Sequence, residues 1–366
     1  MVQMTNGIQI NKGALLAIQL GDVGDVVLTL PSLRALKTAF PDNHLVVCVR
    51  EKAGALMDIC ADVDTVFTVN KKNRKPIEAI KYQIDFFSAL RRHPYDLAID
   101  FRTGTRGAIL ALLSGARAKL GFFDPDEQLW RNRVFSHLLH CGYQKGTYVA
   151  EYYFEVIKWL GITPESLDPQ LAVPIAVKQD VRDRLQGMDV DGKSPFIVLQ
   201  PFSLWQYKEL HADKYVDLID QISRRCGAPV IVCGAPNERQ RAQAITDLCH
   251  GRAINLAGQT TISQLAGLLS LAQLFIGVDS AGMHIAAAAG TPTVSIFGPS
   301  DPASWAPRGN LHAVIQSKLP CVPCRQKGCA NSGVSRCLDE LSVAEMMATI
   351  GPMLDRQFRH HARQSL

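Results

Sequence analysis

The chain has 366 residues, of which 47% are hydrophobic and 20% charged, the profile of an ordinary globular protein long enough to bury two cores. That balance excludes an intrinsically disordered chain, and a formal net charge of +5 is too small to argue for a nucleic-acid partner, although it suits a smaller anionic one. Residues 1–12 are polar and short instead of a charged-then-apolar leader, so a cytoplasmic location is expected.

Residues 14–20 form an apolar run that passes directly into Gly21-Asp22-Val23-Gly24-Asp25 and then into a helical pattern over 26–40, with Pro31 near its start: strand, glycine-rich turn, helix. Strands are expected at 44–49, 63–69 and 97–100, with helical stretches between them and a further helix at 103–114. Residues 115–146 read as irregular, and the apolar residues of 148–160 recur at helical spacing. Strands alternating with helices predict a parallel, doubly wound sheet. A proline-rich stretch at 164–174 introduces a charged helix at 178–186, and the domain boundary is drawn at 178/179. The second half repeats the rhythm: strand 196–200, helix 213–225, strand 229–233, helix 237–249, helix 261–270, strand 274–278, an Ala-rich helix, and strand 293–297.

The organising stretch is 274–307. Its first strand opens into Asp279-Ser280-Ala281-Gly282, small and capping residues at a helix start, where unpaired N–H groups and the positive dipole end favour an anion such as phosphate. Its second strand ends in Gly298-Pro299-Ser300-Asp301-Pro302, a loop at a strand's carboxyl end, where open α/β sheets take ligands. Residues 280–300 contain no Asp, Glu, Lys or Arg, but Gly282, His284, Gly290, Pro292, Gly298 and Pro299 interrupt them, so a buried strand-helix-strand is expected in place of a membrane span.

The pattern D-S/T-x-x-x-H-x-A-A-A, G-T-P-x-V-x-x-F-G-P-S/T-D-P, W-x-P of this stretch resembles family 9 glycosyltransferases, the heptosyltransferases of lipopolysaccharide core synthesis. The resemblance implies a GT-B fold, α/β, with two Rossmann-like doubly wound domains facing across a cleft. It implies an acceptor-binding domain at 1–178 and a nucleotide-sugar-binding domain at 179–366. It further implies an inverting transfer of L-glycero-D-manno-heptose from ADP-heptose to the lipopolysaccharide inner core, with the branch that adds the third heptose as the nearest match. A GT-B transferase with another nucleotide-sugar donor, or a nucleotide-sugar-binding protein without turnover, is the alternative.

A carboxylate just after the first strand is placed to take a proton from an acceptor hydroxyl. Asp25, in Gly24-Asp25-Val26, matches the family's turn and is the candidate base; a helix N-cap is the competing structural role, and Asp22 is the competing carboxylate. In QPFSLWQYK (200–208) the resemblance gives Ser203 and Lys208 to the donor phosphates, a hydroxyl and an ammonium suited to charge growing on a departing diphosphate. Glu238 after the next strand is expected to read the donor ribose, with a first-turn carboxylate complementing a helix dipole as the alternative. Asp279, Ser280, Ala281, Gly282 and His284 are expected at the diphosphate. No metal or other cofactor is expected. Arg102 and Arg106 are the expected acceptor ligands, within a basic set that includes Lys71, Lys72, Arg74, Lys75, Arg117 and Lys119, because guanidinium forks match carboxylates and phosphates. The same charges suit peripheral contact with an anionic inner membrane surface. Of ten cysteines, Cys48, Cys60, Cys141, Cys226, Cys233 and Cys249 are scattered, whereas Cys321, Cys324, Cys329 and Cys337 cluster, as four thiolate ligands of Zn²⁺ or as a loop with free thiols.

Overall fold

The structure, a computed structural model, describes residues 3–70, 75–126, 130–188, 190 and 194–364, with the backbone alone described for 3–5 and 360–364. An antiparallel hairpin of β1 (Gln3–Thr5) and β2 (Ile8–Ile10) comes first. The apolar run ALLAIQ then forms β3 (Ala14–Gln19), every residue of it buried, as a strand covered on both faces requires. The chain continues through α1 (Val23–Leu28), α2 (Leu30–Ala39), β4 (Leu45–Arg50), α3 (Glu51–Met57), β5 (Thr65–Val69), α4 (Pro76–Leu90), β6 (Tyr95–Asp100), α5 (Thr105–Leu113), β7 (Ala118–Phe122), β8 (His137–Leu139) and α6 (Val149–Trp159). The sheet runs β5-β4-β3-β6-β7-β8 with every neighbour parallel. This is the doubly wound nucleotide-binding order, and its direction of winding reverses between β3 and β6.

The second half contains α7 (Ile175–Gln186), β9 (Ile197–Gln200), α8 (Ala212–Cys226), β10 (Val230–Val232), α9 (Arg239–Leu248), β11 (Ala253–Asn255), α10 (Ile262–Leu271), β12 (Leu274–Val278), α11 (Ala281–Ala288), β13 (Thr293–Phe297), α12 (Pro302–Trp305), β14 (His312–Gln316), α13 (Arg336–Asp339) and α14 (Val343–Gln364). Its sheet, β11-β10-β9-β12-β13-β14, is again all parallel and repeats the same order. Here winding reverses between β9 and β12. The buried face of α8 (Leu218, Ile219, Ile222) shares a core with β9, β10, β12 and the apolar side of α14 (Met346, Ile350).

The chain divides into Met1–Pro169 and Gln170–Leu366, earlier than the boundary drawn at 178/179. Residues 170–178 go with the second unit for a packing reason. The Leu171 N–H donates to the Ala288 carbonyl at 2.7 Å, and Gly267 of α10 lets Val177 and Val181 of α7 come so close that a Cβ there would lie 2.9 Å from Val181 and 3.0 Å from Val177. The helix expected at 26–40 is two helices that meet at Thr29. The Thr29 hydroxyl donates to the Asp25 carbonyl and accepts from the Gln19 amide, both at 2.8 Å, and Pro31 follows in the first turn of α2. Residues 115–146, read as irregular, supply the two outer strands β7 and β8.

Candidate functional site

In the first unit the loops after β3 and β6 meet at the point where winding reverses. Asp25 is the third residue of α1, and Asp22, not Asp25, occupies the N-cap position. The Asp25 carboxylate reaches back to accept the Asp22 N–H at Oδ2, 2.8 Å, which satisfies one orphan donor of the helix start. The same oxygen receives the Arg102 guanidinium at 3.1 Å, and Oδ1 receives the Tyr153 hydroxyl of α6 at 2.6 Å. The Asp25 side chain is 13% exposed. Gly21 makes the arrangement sterically possible: a Cβ there would lie 2.5 Å from Asp25 Oδ2 and 2.6 Å from the Arg102 guanidinium. Asp22 instead forms an open ion pair with Arg50 at 3.0 Å. Burial first, and then the charge of Asp25, push the Tyr153 phenol well above its ordinary range, so it donates to the carboxylate throughout the physiological range.

Arg102 is fixed from behind. Asp100 and Arg131, 1% and 2% exposed, pair at 3.5 Å. The Arg131 guanidinium donates to the carbonyls of Phe122 (2.7 Å) and Arg102 (2.8 Å), while Asp100 accepts the Arg102 N–H at 3.1 Å. Burial raises the Asp100 carboxyl to about 7 against the opposing pull of Arg131. Arg106 lies exposed in the first turn of α5. Arg117 pairs with Asp96 at 3.1 Å, and Lys119 donates to the Ala116 carbonyl at 2.8 Å. Of the basic loop, Lys75 is exposed, and Lys71, Lys72 and Arg74 lie outside the described residues.

The second unit builds the corresponding place from the loops after β9 and β12. Lys208 Nζ pairs with Asp279 Oδ2 at 2.6 Å, the two side chains 19% and 7% exposed. The Ser203 hydroxyl donates to the Asp279 carbonyl at 3.1 Å. Ser280 is the N-cap of α11, followed by Ala281 and Gly282. A Cβ on Gly282 would lie 1.9 Å from Gln200 Oε1 at the end of β9, so glycine is required for the helix start to approach that strand. Gln200 Oε1 and the Ser280 hydroxyl oxygen are both buried and lack a protein hydrogen-bond partner. Buried polar atoms are ordinarily satisfied, which makes this helix start a place prepared for a polar ligand. His284, one turn further on, is buried with its ring edge-on to Trp305 at 6.4 Å. Glu238 ends a single helical turn, and its Oε2 accepts the Ala235 N–H at 2.6 Å. Burial raises its carboxyl above the ordinary value, against that hydrogen bond.

Three partners are invisible in the sequence patterns. Tyr153 sits on a helix legible only as a domain-closing element, although a buried tyrosine hydroxyl normally seeks a polar partner. Arg131 falls in the stretch read as irregular. Glu209 accepts the Ser203 N–H at 2.9 Å and pairs with Arg241, whose guanidinium lies 4.6 Å from the Phe202 ring centroid. The Ser203–Lys208 loop is thereby held by charge. Among the described residues no three His, Cys, Asp or Glu side chains converge at metal-binding distance, and no helix is long and apolar enough to cross a membrane.

Residues 84–335 match the family model described as glycosyltransferase family 9 (heptosyltransferase). A lipopolysaccharide heptosyltransferase 3 of Escherichia coli is 30% identical over 292 residues, covering 78% of this chain and 84% of the relative. Among solved structures, the glycosyl transferase family 9 protein of Veillonella parvula DSM 2008 superposes with a TM-score of 0.80 at 19% identity, covering 96% of this chain and all of the other. The ADP-heptose lps heptosyltransferase II of E. coli follows with 0.77 at 20%, covering 94% and 99%. These likenesses show the expected GT-B fold.

Proposed function

The chain belongs to glycosyltransferase family 9, the heptosyltransferases, and from that premise we propose that it transfers heptose from ADP-L-glycero-D-manno-heptose to a lipopolysaccharide inner-core acceptor with inversion at the anomeric carbon. The observation that carries the reading is the Asp25 carboxylate, aimed by three donors at the winding reversal of the first sheet. A carboxylate offers roughly four lone-pair sites, and these donors engage three, leaving one on Oδ1 for an incoming hydroxyl. As that hydroxyl attacks, its oxygen bonds to the anomeric carbon, the carbon–phosphate-oxygen bond breaks, and the proton passes to Asp25.

On the donor side, Lys208, Ser203 and the N–H groups at the start of α11 meet the negative charge that grows on the departing ADP. Gln200 and Ser280 supply the polar atoms that lack protein partners, His284 stands behind them, and Glu238 accepts from the ribose hydroxyls. Neither phosphate contact calls for a divalent ion. The family relationship supports the ADP-heptose donor, since the similar E. coli protein is an ADP-heptose lps heptosyltransferase. Arg106, with Lys75 on the same unit, receives acceptor carboxylates or phosphates, while Arg102 serves Asp25 first. Peripheral membrane contact is supported by α4, which exposes Ile77, Ile80 and Ile84 on one face behind Lys75.

The test is direct. Purified protein is incubated with ADP-heptose and heptose-deficient core acceptors, and product is read by mass spectrometry. Heptosylated core with inverted anomeric configuration is the expected outcome. Donor binding without transfer to any core acceptor would favour a binding protein, and turnover with another nucleotide sugar alone would move the donor assignment.

A further inference from the structure

Cys321, Cys324, Cys329 and Cys337 come together in the fold although sixteen positions separate the first from the last (337 − 321). All four line one cavity of about 290 Å³, shared with Pro299 and Leu319, and none is in a disulfide. Cys329 Sγ accepts the Arg336 N–H at 3.4 Å.

The backbone around these cysteines is hard to explain by packing. Arg325 and Ala330 hold φ of 61° and 51°, left-handed values that cost free energy in residues other than glycine, asparagine and aspartate. Such conformations persist where the surroundings over-determine them. Yet of residues 325–334 only Gly328 is buried, so little apolar burial offsets the strain. The segment is nevertheless docked: the Arg325 N–H donates to the Pro299 carbonyl at 2.7 Å, Arg325 pairs with Asp301, and Leu338 packs so closely on Gly298 that a Cβ there would lie 2.7 Å from it.

We propose that Cys321, Cys324, Cys329 and Cys337 are the four ligands of a single thiophilic metal ion, Zn²⁺ or Fe²⁺, which closes residues 321–337 on themselves and so holds Arg325 and Leu338 against the loop after β13. Four thiolates in two pairs are the donor set that selects a tetrahedral ion of this kind. The sulfurs stand around the cavity wall without meeting at one point, so binding contracts the segment and releases the thiol protons to solvent. The ion is a structural clamp. None of its four ligands is a residue assigned to the donor, the acceptor or the base.

Metal analysis of the full-length protein, purified under reducing conditions without chelators, tests this. The expected result is about one zinc or iron ion per chain, the two told apart by elemental analysis. Cys324→Ser and Cys337→Ser should each lower that content by about tenfold or more, whereas Cys60→Ser, outside the cluster, should keep it. Should the serine variants fail to fold, mercurial titration of the wild type decides: the ion should leave as these four thiols, identified by mass mapping, are modified. A wild-type protein that neither carries nor takes up either ion, an ion retained by both serine variants, or a Cys321–Cys324 disulfide in the reduced preparation would overturn the assignment.

Discussion

Tyr153→Phe isolates the electrostatics of the Asp25 site. The substitution keeps the ring, which is buried, and removes only the hydroxyl that donates to Asp25 Oδ1 at 2.6 Å. A hydrogen bond to a charged acceptor contributes about 1.5–3 kcal/mol. The Asp22 N–H and the Arg102 guanidinium remain on Oδ2, so the carboxylate keeps its place but loses the donor that fixes Oδ1, the oxygen left open to the acceptor. If that contact serves the transition state in full, kcat should fall by roughly ten- to a hundredfold. Donor affinity should be unchanged, because Tyr153 and the donor loops belong to separate units. Initial rates of ADP release, with calorimetric ADP binding on the same preparation, measure both quantities. A folded variant with wild-type turnover would refute the delivery of the acceptor proton to Asp25 Oδ1.

Asp25→Asn should leave ADP binding intact and lower kcat by roughly 10²–10⁴, the usual worth of a general base, since the amide retains much of the shape and can still accept at its oxygen; near-normal turnover would transfer the role to another carboxylate of the first unit. Lys208→Ala should weaken ADP by about 1.5–3 kcal/mol, roughly ten- to a hundredfold, read by calorimetry with and without Mg²⁺, and the ion should not restore it. Asp100 gives a pH prediction. Its folded carboxyl is raised to about 7 from the ordinary 3.8, so the folded chain holds a proton that the unfolded chain has released. Its stabilising contribution is full below about pH 4 and is lost as pH rises through about 7; Asp100→Asn should flatten the melting temperature across that window. Gly107→Ala would bring a Cβ to 2.3 Å from Asp100 Oδ2 and should cost about 1–3 kcal/mol in denaturant unfolding.

What the sequence disclosed, and what it hid, follows from the range of the interactions. The strands at 274–278 and 293–297 were legible to the residue because both are buried apolar runs bounded by Asp279 and Gly298. The break at Thr29 was not, since the apolar spacing of 26–40 continues through it and only a threonine hydroxyl, bonded at both ends, marks the joint. The outer strands β7, β8, β11 and β14 are short or partly exposed and carry too little pattern to stand out from loops. Candidate groups close to a strand end, Asp25, Lys208 and Asp279, were visible through local motifs. Their partners were not: Tyr153 is 128 positions from Asp25, and Arg131 is 29 from Arg102, separations that no periodicity encodes.

The two sheets share one strand order but reverse the order of charge at the winding reversal. In the first unit the acid, Asp25, follows the first strand and the cation, Arg102, the fourth; in the second, Lys208 follows the first and Asp279 the fourth. Each of these ion pairs is electroneutral at rest. A ligand that reaches Lys208 does not meet a bare ammonium; it must exchange for a carboxylate already held at 2.6 Å. Chloride or a single inorganic phosphate gains too little from that exchange to compete at ordinary concentrations, whereas a diphosphate that also reaches the N–H groups of α11 has further contacts to offset it. On the proposed donor role of Lys208, the internal counterion would act as a filter against the small anions of the cell and would make ADP affinity less sensitive to ionic strength than an unpaired lysine would.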